Sequence, residues 1–177
     1  MEKLSLYADS SVFNFVYADD APDLQAITVE FFDEFIANAV YDVYVSDVVP
    51  FEINQTKNEA HRQRLLDLIN RYPIVLLPTD RNDEIEALAT LLIADGVFSE
   101  GQANDARHVA AAVAHQIDIL ISWNFRHLAN LNKERLIHQS CQKAGYSHRL
   151  RLMTPLEVMK SDDENKDDEV EDSESLD

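Results

Sequence analysis

Short apolar runs separated by helical stretches predict an α/β domain with a mostly parallel sheet covered by helices on both faces. Two observations carry this. Apolar, β-forming runs recur at residues 4–8, 41–46, 73–77, 118–122 and 150–153. Between them, apolar residues repeat every three or four positions, as at Leu24, Ile27, Phe31, Phe35 and Ala39. The chain has 177 residues, which suits one domain with a real core.

The elements follow in order. Leu4 to Ala8 reads as a first strand ending at Asp9, followed by a short helix through Val12, Phe13 and Val16. Asp19-Asp20-Ala21-Pro22 is a turn, and Pro22 suits the first position of a helix reaching Ala39. Residues 41–46, YDVYVS, form a second strand, after which Ser46 or Asp47 can cap the helix that carries Glu52. A helix covers about residues 58–70, and residues 73–77 form a third strand. Thr79 or Asp80 caps the next helix, through Leu88, Leu91 and Leu92, which Gly96 breaks. A helix over about 103–115 leads to the strand at 118–122, and another helix starts near residue 125. A last strand at 150–153 precedes Thr154-Pro155 and a short helix.

Charge divides the chain. Residues 161–177 hold ten acids and one lysine, so this segment is expected to be a disordered acidic tail behind a domain over residues 1–160. The domain itself holds 23 acids against 14 lysines and arginines. An acidic body is a poor electrostatic partner for nucleic acid. One cysteine, Cys141, excludes an internal disulfide. No apolar run is long enough to span a membrane, and the first residues do not resemble a signal peptide, so a cytoplasmic protein is expected. With three glycines and no Gly-rich loop, dinucleotide and P-loop nucleotide binding are disfavoured.

In a parallel sheet, ligands sit beyond the carboxyl ends of the strands. Asp9 follows strand one, Glu52 lies on the helix after strand two, and Asp105 opens the helix that returns to strand four. Asn124 follows strand four in Ser122-Trp123-Asn124. These four positions converge on one edge. Asp118 opens strand four and belongs to the opposite edge. Carboxylates brought together repel unless a cation neutralises them, and oxygen ligands without a cysteine or histidine cluster suit Mg²⁺ or Mn²⁺.

These pieces resemble a PIN domain, in particular the VapC-like toxins of bacterial toxin–antitoxin pairs. The resemblance runs over about residues 4–160, through Asp9-Ser10-Ser11-Val12, Glu52 in SDVVPFEI, Asp105 in NDARHVAAAVAHQIDILIS, Ser122-Trp123-Asn124 and the closing LMTPLEVM. It implies a three-layer α/β/α sandwich and metal-dependent endoribonuclease activity. Asp9, Glu52 and Asp105 would then be metal ligands for Mg²⁺ or Mn²⁺. Asn124 would be a fourth, neutral corner where many members carry aspartate. Ser11 would orient a ligand or a water, with His108 and Ser122 in support. The partners implied are an RNA substrate and an antitoxin that inserts a segment, often with an arginine, against the acids; the family also admits a homodimer.

Each position has a plain structural alternative. Asp9 and Asn124 can cap helices, Glu52 can be a solvated helix residue, and Asp105 can serve the helix dipole. His108 and Trp123 can simply pack, and Cys141 is an ordinary helix residue. His148, Arg149 and Arg151 can be solvated charges or touch phosphate. The tail is either solubilising or a cover for the site that mimics RNA. Besides a ribonuclease, the residues allow a PIN-like domain that has lost turnover and acts as a binding module. A phosphatase with Asp9 as nucleophile ranks last, because it needs a lysine that the sequence does not place at the edge.

Overall fold

A computed structural model describes residues 3–162 apart from 125, 127, 129 and 130. Five strands form one wholly parallel sheet: β1 (Ser5–Ala8), β2 (Asp42–Val45), β3 (Ile74–Leu76), β4 (Ile119–Ile121) and β5 (Arg151–Met153), in the order β3-β2-β1-β4-β5. Each strand is one or two residues shorter than its apolar run, because ladder pairing stops before the run does. Tyr7 sits opposite Tyr44 on one side and Leu120 on the other. From β1 the chain steps outward to β2 and β3, then returns to lay β4 on the other flank of β1. The crevice at the carboxyl ends of β1 and β4 is therefore the topological switch point, where open α/β sheets bind ligands.

Strand residues alternate between two cores. Tyr7, Leu120 and Leu152 face α5 (Asn82–Ala94), α6 (Ala103–Ala114) and α7 (Leu131–Lys143). Leu6, Ala8, Val43, Val45, Ile119 and Ile121 face α1 (Ser10–Phe15), α2 (Pro22–Glu30), α3 (Val48–Asn54) and α4 (Glu59–Arg71). The three-layer α/β/α sandwich follows from these two buried faces. On α6, Ala106 and Ala110 to Ala112 are wholly buried. Such small side chains let the helix lie close to the sheet, which brings its first turns near the switch point.

Several local features differ from the periodicity. The helix from Pro22 does not reach Ala39: it passes into a π-helical segment, Phe31–Ile36. Bonds from Ala37 N to the Phe32 carbonyl and from Val40 N to the Phe35 carbonyl mark the wider turns. This widening buries Phe31, Phe32, Phe35 and Ile36 together, and the helix is over before Ala39, which adopts φ 50°. Neither Thr79 nor Asp80 caps α5. They belong to a 3₁₀ turn, Thr79–Arg81, and α5 starts at Asn82 without a side-chain cap. There Arg81 pairs with Glu84 at 2.8 Å and donates to the Ala114 carbonyl, one of the orphan acceptors at the end of α6. Gly96 ends α5 with φ 73°, as its sequence position predicts.

The helix expected from residue 125 begins at Leu131 as α7; residues 125, 127, 129 and 130 lie outside the described residues. Residues 155–162 are helical and cross the expected domain boundary at residue 160. The rest of the acidic segment, residues 163–177, lies outside the described residues, and so does its expected disorder. Among the described residues no helix is long and apolar enough to cross a membrane.

Candidate functional site

Asp9 is 4 % exposed and does two things at once. Its Oδ1 accepts from Ser11 N at 3.0 Å, which caps α1, and from Ser11 Oγ at 2.5 Å. Its Oδ2 accepts from Ser122 Oγ at 2.6 Å, which ties the end of β1 to the end of β4. Ser122 Oγ in turn accepts from Asn124 N at 2.9 Å, and Ser11 Oγ accepts from Trp123 N at 2.9 Å. The Ser-Trp-Asn junction is thus fastened to Asp9 by two hydroxyls. The Asn124 carbonyl accepts from Leu128 N at 2.9 Å. Trp123 packs: it is buried, and its indole N–H donates to Thr28 Oγ1 at 2.9 Å.

Glu52 is partly exposed and is reached by three side chains from two elements, α1 and α6. Ser10 Oγ donates to its Oε1 at 2.7 Å, His108 Nε2 lies 2.5 Å from the same oxygen, and Asn104 Nδ2 donates to Oε2 at 3.3 Å. The other nitrogen of His108, Nδ1, is 2.7 Å from the Tyr7 hydroxyl, itself 2.6 Å from Ser46 Oγ. A buried chain therefore runs Ser46–Tyr7–His108–Glu52, from the end of β2 to α3. Asn104 and His108 stand four residues apart, on one face of α6, and so can both reach Glu52.

The electrostatics separate the two acids. Burial pushes the Asp9 carboxyl above the usual carboxylate range; His108 and the two serines oppose this, and the Glu52 charge adds to it. Burial also pushes Glu52 upward, but the hydrogen bond and charge of His108, with Ser10 and Asn104, outweigh it and hold Glu52 below the usual range. Burial pushes the Tyr7 phenol far up, so it remains neutral.

Asp105 is half-buried in the first turn of α6. It lines an open cleft of about 270 Å³ with Glu52, Asn104 and Glu100. Its charge also reaches Lys133 of α7, which donates to the Val97 carbonyl and lies over the Phe98 ring.

The expected positions therefore gather in part. Ser10, next to Asp9, donates to Glu52, and Glu52 shares the cleft with Asp105. Among the described residues, however, no three His, Cys, Asp or Glu form a group that could hold a metal ion. The oxygen donors suit a hard divalent cation in chemistry, but those of Asp9 and Glu52 are turned inward onto serines, His108 and Asn104.

Tyr7, Ser10, Asn104 and Glu100 were not singled out from the sequence, and Ser46 only as a helix cap, where its hydroxyl accepts from Val48 N at 3.4 Å. Only Asn104 left a signal there, its four-residue spacing from His108. Asp118 accepts from Ser5 N and Oγ at 2.8 and 2.7 Å, on the amino edge and away from the site. His148 approaches the Ile117 carbonyl at 2.6 Å on that same edge. Cys141 is buried, and burial pushes its thiol up to about 11.

No family model and no curated protein matches the chain. Its backbone is similar to the solved structure of VapBC2 from Rickettsia felis bound to a DNA fragment from their promoter. That similarity has a TM-score of 0.50 at 13 % identity and covers 85 % of this chain and 98 % of that one. It is also similar to VapBC-1 from nontypeable Haemophilus influenzae, with a TM-score of 0.52 at 12 % identity over 86 % of this chain and 99 % of that one. The likeness is one of fold, a PIN-like three-layer α/β/α sandwich.

Proposed function

We propose that the chain is a Mg²⁺- or Mn²⁺-dependent endoribonuclease that hydrolyses RNA phosphodiesters. The observation that carries this reading is one open cleft lined by Glu52 and Asp105, with Asp9 at the sheet's switch point and the adjacent Ser10 bonded to Glu52. Asp9, Glu52 and Asp105 would hold the ion, and Asn124 would stand as the neutral fourth corner. When bound, the ion supplies Lewis-acid polarisation of a phosphoryl oxygen and activation of water.

The chain's own residues prepare the acids. Ser11 and Ser122 hold the Asp9 carboxylate in place where β1 and β4 end. His108, held by the buried Tyr7 hydroxyl, orients Glu52. Asp105 meets solvent and substrate directly. An ion held by Asp9 and Glu52 would compete with the hydrogen bonds that Ser11, Ser122, Ser10 and His108 now give those carboxylates.

The similar structures are VapBC assemblies, which supports a protein partner here too. An antitoxin segment carrying an arginine would neutralise the same acids and silence the site. A homodimer and a cytoplasmic location belong to the same proposal.

Asp9→Asn and Asp105→Asn test the site. Both variants should keep the fold and lose cleavage of a labelled RNA. Full activity in both removes the metal-site account.

One observation favours a second reading, a PIN-like binding module without turnover. The Asp9 and Glu52 carboxylates already have internal donors, and the fourth corner is an amide. A stable protein complex together with weak metal binding by calorimetry would support it.

A further inference from the structure

Beside the acidic cleft lies a second pocket of about 280 Å³, lined by Asp47, Val48, Phe51, Glu86, Asn104 and Arg107. Asn104 lines both, so the two are neighbours, and Phe51 directly precedes Glu52 in α3. Phe51 is 58 % exposed, an unusual place for a large aromatic with no covering element among the described residues. The rest of the pocket is mostly polar. Glu86 and Arg107 pair at 2.6 Å, Arg107 also donates to Asn104 Oδ1 at 3.0 Å, and Asp47 accepts from Asn82 at 2.9 Å.

Two carboxylates against one guanidinium leave the lining net negative. Phosphate is unwelcome there, whereas amino groups find acceptors. An aliphatic peptide anchor would meet only Val48 and Phe51 and would desolvate the carboxylates without replacing their hydrogen bonds. A flat ring with an apolar face and amino groups at its edge satisfies both parts: the face stacks on Phe51 and the edge donates to Asp47.

We propose that this pocket receives an unpaired, amino-bearing nucleobase from the RNA flanking the cleaved phosphodiester, stacked on Phe51 with its exocyclic amine donated to Asp47. The assignment rests on the ribonuclease reading. It gives an acidic protein a way to hold RNA by its bases rather than its phosphates. It also makes Phe51 and Asp47 determinants of where the strand is cut.

The test uses the full chain in chelator and measures binding of labelled oligocytidine and oligouridine to the wild type, Phe51→Ala, Phe51→Trp and Asp47→Asn. Cytidine should be preferred. Phe51→Ala should bind on the order of ten-fold more weakly with an unchanged melting temperature, and Phe51→Trp should restore binding. Asp47→Asn should remove the preference between the two oligomers. Equal binding by wild type and Phe51→Ala, or no binding at all, overturns the pocket. So does loss of a protein partner in Phe51→Ala with RNA affinity intact. Repeating the series with Mn²⁺ separates the two claims. Cleavage with an unchanged KM in Phe51→Ala overturns the pocket and leaves the ribonuclease standing. Phe51-dependent binding without cleavage keeps the pocket and defeats the ribonuclease.

Discussion

Replacing Asp9 in two ways separates its structural work from its chemistry. Asp9→Ala removes the α1 cap, at about 1 kcal/mol. It also leaves the buried Ser122 hydroxyl without its acceptor, at about 1–3 kcal/mol. The sum is about 2–4 kcal/mol, or roughly 4–16 °C in melting temperature for a domain of this size. Asp9→Asn keeps an acceptor for Ser11 N and turns an amide donor toward Ser122. It also removes a buried charge. Because the folded carboxyl sits above its ordinary range, its favourable contribution is complete below the unfolded pKa and is lost as pH rises through the folded one. At neutral pH the ionised group is therefore a cost that asparagine avoids. Thermal unfolding in chelator, followed by circular dichroism, should place Asp9→Asn at or above the wild type and Asp9→Ala, which also sheds the charge but loses both hydrogen bonds, well below Asp9→Asn. The advantage of asparagine should shrink as the pH falls toward the carboxylate range. Equal melting of the two variants would refute the hydrogen-bond argument.

Three further outcomes follow from the same contacts. Glu52 is held below its ordinary value of 4.5, so its contribution is present above that pH and is lost as pH falls below it. His108→Gln keeps a donor but no charge, so it should lose more stability to urea at pH ~6 than at pH ~3; an equal loss at both would show that the pair contributes nothing ionic. Asp118→Ala orphans the Ser5 N–H and hydroxyl and should cost roughly 1–3 kcal/mol; cleavage per folded molecule should not change, and a drop would place Asp118 in the site after all. Trp123→Phe loses the indole bond to the buried Thr28 and should cost roughly 1–2 kcal/mol; RNA affinity should hold, and a fall would make Trp123 a contact rather than a packing residue.

Much of the site was legible because topology alone placed it. An acid directly after β1, a hydroxyl directly after β4 and an acid in the first turn of α6 must share one edge of a parallel sheet. The partners that tune those acids were not legible. Tyr7 reads as one more apolar strand residue, and only the three-dimensional crossing of β1 by α6 sets its hydroxyl against His108. His108 itself was visible, but its bond to Glu52 depends on the close seat that the buried alanines give α6. Phe51 was hidden by the opposite effect: in sequence it looks like core, and only the packed structure leaves it outside. The π-helical turn was missed for a related reason, since a three-to-four spacing describes Phe31 and Phe35 equally well before the aromatic cluster forces the extra residue.

In the proposed function these acids work through a divalent cation on RNA. Cleavage of a labelled mixed RNA pool by the purified full chain, freed of partners, tests it most directly when run with Mg²⁺, with Mn²⁺ and with chelator beside Asp105→Asn. Cutting should need the metal and disappear in the variant. Cutting that survives chelator, or a folded chain that cuts with neither metal, would contradict it.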